Sequence, residues 1–484
     1  MPKLGSEGKI HVSIVKRKRP DGSRYVQEVR SVYDPKTKNS KTLSSKTLGI
    51  LPPGETDLNK LIPSDNRPFM AVKRQVTQMS DAKNVVQDTR KQHLVVFPLE
   101  IIMVVILLAG LAGFTSCRQV AEYWHLHRSV FRHWFPNLPD QDISHDTVRN
   151  AIKIVGRSNI NDFIEHFTTP LMEQFKLRVM ALDGQAVRAA SSTEHPAHSR
   201  YVLNLFDTDN ELCVQQVLIE EKQNEITQAI NIVKAMDLAG AVVTCDAMNT
   251  QRKFAEHLIN VKHCDYCFAV KTNHPELFAH VSGWFNTREG RQLVKTVSRT
   301  EDGHGRIEER EIGVLPACLM KELAQDMLDK WTGLEEGCLV MARTRRLFPN
   351  DPKKNTDEVR YFITSLHFDR EYIGETMARI IRRHWMIENG LHWVLDVTYQ
   401  QDRTQCRNAD FLAGRTALNK VIFNLTSKAQ SVEEVETGEQ AAYKPTWKVR
   451  FSTPESGMKH LLHLYERRNR LDFVIVSPEV RLRS

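Results

Sequence analysis

The sequence predicts an α/β protein, in which a small β module and a helical domain precede a core of mixed strands and helices. Residues 177–270 alternate short apolar runs with amphipathic stretches, as strands connected by helices do. Residues 97–175 have helical periodicity instead, and residues 292–367 add four further strand-like runs. A chain of 484 residues is long enough for two to four domains, and its 41% hydrophobic and 26% charged content is ordinary for a soluble globular protein.

The first 65 residues predict a basic β-hairpin module. Apolar and polar residues alternate on both sides of Pro20-Asp21-Gly22, which is a turn signal, and the proline-containing stretch from 51 to 65 indicates a linker. Residues 1–93 carry 19 Lys and Arg against 9 Asp and Glu, whereas the rest of the chain carries 48 against 50. A basic segment of this kind indicates nucleic-acid binding, and a solvated basic face is the open alternative.

A helical domain is predicted over residues 90–175. Its first segment, Ile101–Phe114, is almost wholly apolar but has only 14 residues. Because a membrane-spanning helix needs roughly 20 residues, the segment predicts a buried core helix rather than a membrane anchor. No signal peptide is expected either, because Lys16-Arg17-Lys18-Arg19 is not followed by an apolar core. An amphipathic helix is expected next, from Ser116 to Phe135, with these apolar positions: Val120, Trp124, Leu126 and Phe131.

A second amphipathic helix is predicted to begin at Ser144, a residue that favours the N-cap position. Its apolar positions fall on one face and are expected to be buried: Val148, Ile152 and Val155. Arg149 and Lys153 then face outward. They would contact DNA if this helix pair binds DNA, and they would be solvated scaffold residues otherwise.

The eight cysteines do not form a metal-binding pattern. Only Cys264 and Cys267 are close in sequence, with His263 beside them, and a structural zinc site needs four ligands. We therefore expect buried free thiols in a reducing cytoplasm.

Three acidic residues carry the most informative pattern of the chain. Asp183 follows the apolar run Val179–Leu182, and Asp246 follows Ala241–Cys245, so both are expected at the ends of buried strands. Glu388 lies within the helical stretch 382–396.

Two histidines flank the helical acid. His384 lies four residues before Glu388 and His392 four residues after it, which is the spacing of one helix face. Acids on two strands and one helix could converge on divalent ions and support chemistry on phosphodiesters. The plain alternative is that Asp183 caps a turn, Asp246 caps a helix and Glu388 is a solvated helix residue.

The segments around these acids resemble the DDE transposases of bacterial insertion sequences, in the branch of the H-repeat-associated proteins. The first acid stands in Asp183-Gly184-Gln185, and the second in Thr244-Cys245-Asp246-Ala247-Met248. The third motif, from Arg382 to Val397, fills every fixed position of the family's pattern around its glutamate. The resemblance extends from about Phe97 to Asn424 and so covers most of the chain.

The resemblance implies a ribonuclease H-like catalytic core over residues 176–430. The separation of 142 positions from Asp246 to Glu388 is too long for a bare core of this kind. We therefore expect a β-rich subdomain inserted at about 280–367, as in related transposases. Residues 431–484 are expected to be a linker and a C-terminal tail.

The resemblance also implies a function. Asp183, Asp246 and Glu388 would hold Mg²⁺ or Mn²⁺ and catalyse strand cleavage and strand transfer at the ends of an insertion sequence. The partners would be double-stranded DNA, both terminal inverted repeats and target, and a second copy of the chain in the DNA complex. The protein would then be cytoplasmic and associated with the nucleoid. The alternative is a DNA-binding relic or regulator that has lost catalysis, against which the three intact acids argue.

Further residues are expected to support the three acids. His384, Asn389 and His392 would lie behind them or pack beside them. Lys271, Asn273 and Arg306 would hold DNA phosphate or, alternatively, only solubilise the surface. Trp385 and Trp393 are expected in the core because large aromatic side chains bury much area.

The sequence departs from the family pattern at one place. The family continues after the third acid with Phe-x-Glu-Asp, whereas this chain has Tyr399-Gln400-Gln401-Asp402. Gln401 and Asp402 are therefore predicted not to be essential metal ligands.

Overall fold

A computed structural model describes residues 10–18, 22, 24–34, 39–51, 53–54, 56, 62–63, 86–135, 138–173, 175, 177–187, 200–219, 225–303, 305–406, 408–437 and 452–457. The chain divides into two compact units. One comprises Met1–Gln78, Arg90–Val148 and Pro445–Ser484, and the other comprises Met79–Thr89 and Arg149–Lys444. The bounds of the four domains expected from the sequence stay a prediction, and most of the expected tail after residue 437 lies outside the described residues.

The N-terminal module is a four-stranded antiparallel sheet rather than a single hairpin. Its strands are β1 (Ile10–Lys18), β2 (Arg24–Asp34), β3 (Asn39–Leu51) and β4 (Ile62–Pro63). The third strand extends to Leu51, where a linker was expected, because the whole of β2 pairs with it. Val26 and Leu51 are buried, whereas Val12 and Ile14 are exposed. Pro20 and Asp21 of the predicted turn lie outside the described residues.

Two helices follow in the same unit. Helix α1 (Leu99–Leu111) is buried along its length, as the apolar run predicted. Helix α2 (Cys117–Trp134) begins at Ser116, whose hydroxyl accepts from the backbone of Gln119 in a capping box. Val120, Trp124 and Phe131 are buried, but Leu126 is 61% exposed because it lies off their stripe. Among the described residues, no helix is long and apolar enough to cross a membrane.

Helix α3 (His145–Arg157) begins where the sequence predicted. The Ser144 hydroxyl accepts from the backbone N–H of Thr147 at 3.1 Å. The predicted apolar face is buried: Val148, Ile152 and Val155. Helix α4 (Ile160–Thr168) follows after a short break.

A nine-stranded mixed sheet forms the centre of the second unit, in the order β10-β11-β12-β13-β9-β8-β5-β6-β7. The strands are β5 (Val179–Val187), β6 (Arg200–Asp207), β7 (Leu212–Ile219), β8 (Val242–Cys245), β9 (Asp265–Val270), β10 (Lys295–Gly303), β11 (Arg306–Pro316), β12 (Cys338–Leu347) and β13 (Thr356–Thr364). Strands β5, β8 and β9 are parallel, and β5, β6 and β7 are antiparallel. This mixed sheet with flanking helices is compatible with a ribonuclease H-like fold.

The strands expected in an inserted subdomain are present but extend the central sheet. Strand β13 pairs antiparallel with β9, from Tyr361 opposite Val270 to Thr364 opposite Cys267. The ladder then continues through β12 and β11 to β10. One continuous sheet therefore joins the region of the insertion to the parallel strands.

Eight further helices belong to the described part of the second unit. They are α5 (Glu225–Lys234), α6 (Arg252–Asn260), α7 (Pro275–Trp284), α8 (Arg288–Leu293), α9 (Lys321–Asp329), α10 (Ile373–His384), α11 (Trp393–Val397) and α12 (Ala409–Thr437). Helix α12 is longer than predicted and continues to Thr437 through residues expected to be a linker. A β-carbon at Gly156 would lie 1.7 Å from the Asp410 carbonyl oxygen, so α3 and α12 approach each other closely at this glycine.

Candidate active site

Asp183 and Asp246 are brought together by the parallel pairing of β5 with β8. The register places Leu182 opposite Cys245, so the two acids that follow these residues are neighbours across adjacent strands. Functional residues in α/β sheets gather at the carboxyl ends of parallel strands. The register thus accounts for the adjacency of the two acids, and their joint role as metal ligands stays a prediction.

The sequence suggested that Asp183 stands at the end of a strand, but it lies within β5. Strand β8 ends at Cys245, but β6 continues to pair with β5 from Asp183 opposite Asn204 to Val187 opposite Arg200. The carboxylate therefore stands on a rigid strand, where the backbone N–H of Gly184 donates to it at 2.9 Å.

Asp246 is held by the turn that follows β8. Its Oδ1 accepts from the backbone N–H and the side-chain amide of Asn249, both at 3.2 Å. Asn273, from the turn after β9, donates to the carbonyl of Ala247 at 2.7 Å. The amide nitrogen of Asn273 thus supports the loop that carries the second acid, whatever its part in DNA binding.

Glu388 lies in a π-helical turn, Ile387–His392, between helices α10 and α11. The backbone N–H of Trp393 donates to the Glu388 carbonyl, five residues back. Such turns interrupt helices frequently at functional sites. The Glu388 side chain is exposed, so a ligand in solution can reach it.

The two histidines that flank Glu388 join its helical segment to the strands of the other two acids. His384 Nδ1 lies 2.9 Å from the Thr244 hydroxyl on β8. His392 Nε2 lies 3.0 Å from the Asn204 amide on β6, and its Nδ1 lies 3.6 Å from Asp183 Oδ2. Glu388 is therefore carried on a segment anchored beside Asp246 at one end and beside Asp183 at the other.

Both imidazoles are neutral at neutral pH. Burial lowers the pKa of His384 to about 4, opposed by Asp246 and assisted by Arg360. Burial lowers the pKa of His392 to about 3, with additional repulsion from Lys420 and His384. The contact of His392 with Asp183 is thus a polar contact of a neutral ring and not an ion pair. Both histidines contact the strands that flank the aspartates, and their supporting role stays a prediction, as does that of Asn389, which is exposed.

A buried chain of amides lies behind Asp183. Gln185 Nε2 donates to Asp396 at 2.8 Å and to the His392 carbonyl at 3.2 Å. Gln401 donates to Gln185 at 3.0 Å and accepts from Asn419 at 3.3 Å. An amide at position 401 can both donate and accept in this way, whereas the ionised carboxylate of a glutamate can only accept. The departure from the family's glutamate is thereby accommodated, and Gln401 is 1% exposed.

The basic residues predicted to contact DNA lie on or directly after three different elements, α3, β9 and β11. Arg149 and Lys271 are exposed and Lys153 is half-buried. Arg306 lies on β11 and forms an ion pair with Glu308 at 3.3 Å. Their part in DNA binding stays a prediction.

Neither of the two tryptophans near Glu388 is fully buried, although both were expected in the core. The Trp385 ring is partly buried under the Arg360 guanidinium, 4.4 Å from the ring centroid. Trp393 was expected in the core but is 50% exposed. Val397 lies four residues after Trp393 and is also exposed, so these two residues share the exposed face of α11.

The cysteine pair is buried, as the sequence predicted. Each of the eight cysteines is free. Cys264 donates to the Leu258 carbonyl at 3.6 Å, and burial raises the pKa of its thiol to about 12.

The carboxylate oxygens of the acids are the ligand type that a hard divalent cation prefers, but the side chains do not form a closed binding group. Among the described residues, no three His, Cys, Asp or Glu side chains are grouped closely enough to hold an ion. Asp183 and Asp246 supply neighbouring carboxylates, however, and Mg²⁺ commonly binds one or two carboxylates and keeps several waters. The chemistry of these two carboxylates therefore suits such an ion at the carboxyl end of β8, and the part of Glu388 as a further ligand stays a prediction.

Several supporting residues were missed in the sequence, and each had a weak signal. Asn204 interrupts the apolar strand Tyr201–Phe206, and Gln185 follows the first acid in an otherwise apolar strand. Polar residues at such positions need buried partners. Their partners, His392 and Asp396, are about 200 residues away in sequence, as the separations of 188 and 211 show.

A family model described as the transposase DDE domain matches residues 174–425, which is slightly more than half of the chain. The matched region begins just before β5 and ends within α12, so it contains all three acids. The chain belongs to the transposase DDE domain family.

Individual proteins similar to this chain agree with this assignment. The H repeat-associated putative transposase YhhI and the putative protein YbfL, both of Escherichia coli strain K12, are each 25% identical over 346 residues, or 71% of this chain and 88% of theirs. The putative transposase YncI of Escherichia coli O157:H7 is 24% identical over 365 residues, which cover 74% of this chain and 89% of that protein. The predicted resemblance to transposases of the H-repeat branch is confirmed.

Proposed function

We propose that the protein is an active DNA transposase, which cleaves a strand at the ends of its own insertion sequence and joins the freed 3′ end to target DNA. The observation that supports this most directly is the pairing of β5 with β8, which makes Asp183 and Asp246 neighbours. The segment of Glu388 is anchored to the same strands through His384 and His392.

Asp183, Asp246 and Glu388 would hold the divalent cations that DDE transposases generally use, Mg²⁺ or Mn²⁺. Bound ions of this kind supply an activated water and stabilise the leaving oxygen of a phosphodiester. The chain's own residues would keep the carboxylates in place. Gly184 and Asn249 donate to two of them, and the neutral His392 faces Asp183 without competing as a cation.

DNA is the partner that membership of the family implies. The basic excess of residues 1–93 would neutralise phosphates and make binding dependent on salt. Arg149, Lys153, Lys271, Asn273 and Arg306 are proposed as individual contacts, and a homodimer is proposed in the DNA complex.

The test is an end-cleavage assay on DNA that carries the inverted repeats bracketing the gene. Asp183→Ala, Asp246→Ala and Glu388→Ala are each expected to abolish cleavage in Mg²⁺ or Mn²⁺ and to leave end binding largely intact. Loss of a ligand removes the ions but not the basic contacts. Glu375→Ala is the matched control, because this acid is exposed in the first turn of α10.

Two outcomes would contradict the proposal. Undiminished cleavage by any one of the three variants would remove that residue from the active site. Specific end binding by the unaltered protein without cleavage in either ion would favour the alternative, a regulator that has lost catalysis.

A further inference from the structure

A buried aspartate outside the three acids contacts both the strand of Asp183 and the helix that leads to Glu388. Asp209 lies in the turn between β6 and β7, and its side chain is 1% exposed. One carboxylate oxygen, Oδ2, accepts from the backbone N–H of Val179 at 2.8 Å, at the first residue of β5.

The other carboxylate oxygen binds two arginines of α10. Oδ1 accepts from Arg379 and lies 3.2 Å from Nη1 of Arg383. These arginines are four residues apart, and therefore on the same face of the helix. One buried carboxylate thus receives two charge-assisted contacts from the helix and one hydrogen bond from the strand.

The same two arginines also donate to backbone carbonyls around the turn. Arg379 donates to the Leu177 carbonyl, just before β5, at 3.3 Å. Arg383 donates to the Thr208 carbonyl. Thr208 in turn donates from its backbone N–H and its hydroxyl to the Val179 carbonyl, at 3.0 and 2.9 Å. The start of β5, the β6–β7 turn and α10 are therefore bound together at one point.

This point is close in sequence to two of the proposed metal ligands. Val179 is four residues before Asp183 on a rigid strand, and Arg383 is five residues before Glu388. A rotation or slide of α10 along β5 would move Glu388 relative to Asp183, and the contacts of Asp209 oppose both movements. Arg379 and Arg383 keep partial solvent contact, with side chains 39% and 31% exposed.

We infer that Asp209 is a positioning residue for strand cleavage, because it holds α10 against β5 and so fixes Glu388 relative to Asp183. This inference rests on the proposed function for its reaction. It does not require Asp209 to touch DNA or metal.

The same turn supplies a matched control. Asp207 is fully buried and forms an ion pair with Arg178 at 3.2 Å. It also accepts from the backbone of Asp209 and from Asn210, at 3.1 and 3.0 Å. None of these contacts involves α10, so loss of the Asp207 charge should weaken the turn without releasing the helix.

The experiment compares Asp209→Asn and Asp207→Asn in the full chain, by three measurements. These are thermal unfolding, the cleavage rate as a function of Mg²⁺ concentration, and Mn²⁺ binding followed by the electron paramagnetic resonance signal of the free ion. Both variants should unfold at lower temperature. Only Asp209→Asn should lower the cleavage rate at least tenfold, raise the Mg²⁺ concentration for half-maximal rate, and weaken Mn²⁺ binding severalfold.

A milder variant covers the case in which Asp209→Asn does not fold. Arg383→Gln keeps the contact of Asp209 with Arg379 and should weaken Mn²⁺ binding to an intermediate degree, whereas Arg383→Lys should restore it in part. Equal effects of Asp207→Asn and Asp209→Asn on Mn²⁺ binding would overturn the inference, as would unchanged Mn²⁺ binding by both Asp209→Asn and Arg383→Gln.

The two proposals fail in different ways. If the unaltered protein binds Mn²⁺ through Asp183 but does not cleave DNA, the proposed reaction fails, and the binding comparison still decides the role of Asp209. If the unaltered protein binds no Mn²⁺, both proposals are refuted.

Discussion

Replacing Lys420 with Met is expected to stabilise the protein at neutral pH. Lys420 lies on α12 and is completely buried, and its amine has no hydrogen-bond partner in the described part of the chain. Burial lowers the pKa of this amine from 10.5 to about 8, opposed by the charges of Cys213 and Asp396. A buried charge without a close partner is costly, and methionine has a similar shape without the charge.

The lowered pKa sets the size and the pH window of this gain. At pH 7 the amine is protonated in both the folded and the unfolded states, so the folded state bears the full cost of the buried charge. The shift from 10.5 to about 8 corresponds to about 3 kcal/mol. Between pH 8 and 10.5 the folded state loses its proton first, so the unaltered protein should regain about 1.4 kcal/mol per pH unit.

The assay is urea unfolding at pH 7 and pH 9.5, monitored by hydrogen exchange in peptides from α12. A local measurement is used because a chain with two compact units need not unfold in one step. At pH 7 the free energy of unfolding of Lys420→Met should exceed that of the unaltered protein by up to about 3 kcal/mol. At pH 9.5 this difference should be smaller by about 2 kcal/mol. Lys253→Met, at an exposed position of α6, should change neither value. An equal or lower stability of Lys420→Met at pH 7, with no pH dependence of the difference, would refute the reasoning.

Three further predictions follow from the same structure. Gln401→Ala should lower stability by about 1–3 kcal/mol through the lost amide contacts but should leave far more end cleavage than Glu388→Ala, and equal loss of cleavage would make position 401 part of the metal site. Removal of residues 1–65 should preserve cleavage at low salt. It should reduce the slope of the logarithm of the end-binding constant against the logarithm of salt concentration by about 0.9 for each lost phosphate contact; identical slopes for the two proteins would show that the segment only solubilises the protein. Gly156→Ala should destabilise the α3–α12 contact by about 1–3 kcal/mol in the same unfolding assay, and Gly283→Ala, which meets no atom within 4 Å, is the control that should be neutral or stabilising.

Local patterns in the sequence were sufficient for much of the fold. Apolar runs located α1 and most strands of the central sheet, and the helical period of apolar residues located α2 and α3, because burial of one helix face imposes that period on neighbouring residues. The cap at Ser144 was also readable, since its hydroxyl bonds a backbone N–H only three residues ahead. The motifs around the three acids identified the transposase family in the same way, from residues adjacent in the chain.

The boundaries of β5 show where local patterns end. The apolar run predicted a strand that stops before Asp183, but β6 holds the strand in pairing to Val187. Likewise, nothing between residues 292 and 367 shows that β13 pairs with β9. Whether a strand continues or which edge it joins depends on hydrogen-bond partners distant in sequence, and the side-chain period of a single strand does not encode them.

The sequence by itself determined which residues could do chemistry, and the tertiary structure decided how they are held. Glu388, Asp183 and Asp246 were recognisable from their motifs. Their supports were not, because Asp209 binds Arg379 from 170 residues away, and Gln401 binds Gln185 from 216 residues away. A buried polar group must find a partner wherever the fold brings one, so its identity appears only when distant elements pack. The exposure of Trp393 was decided in the same way, by which face of α11 the sheet and α12 leave uncovered.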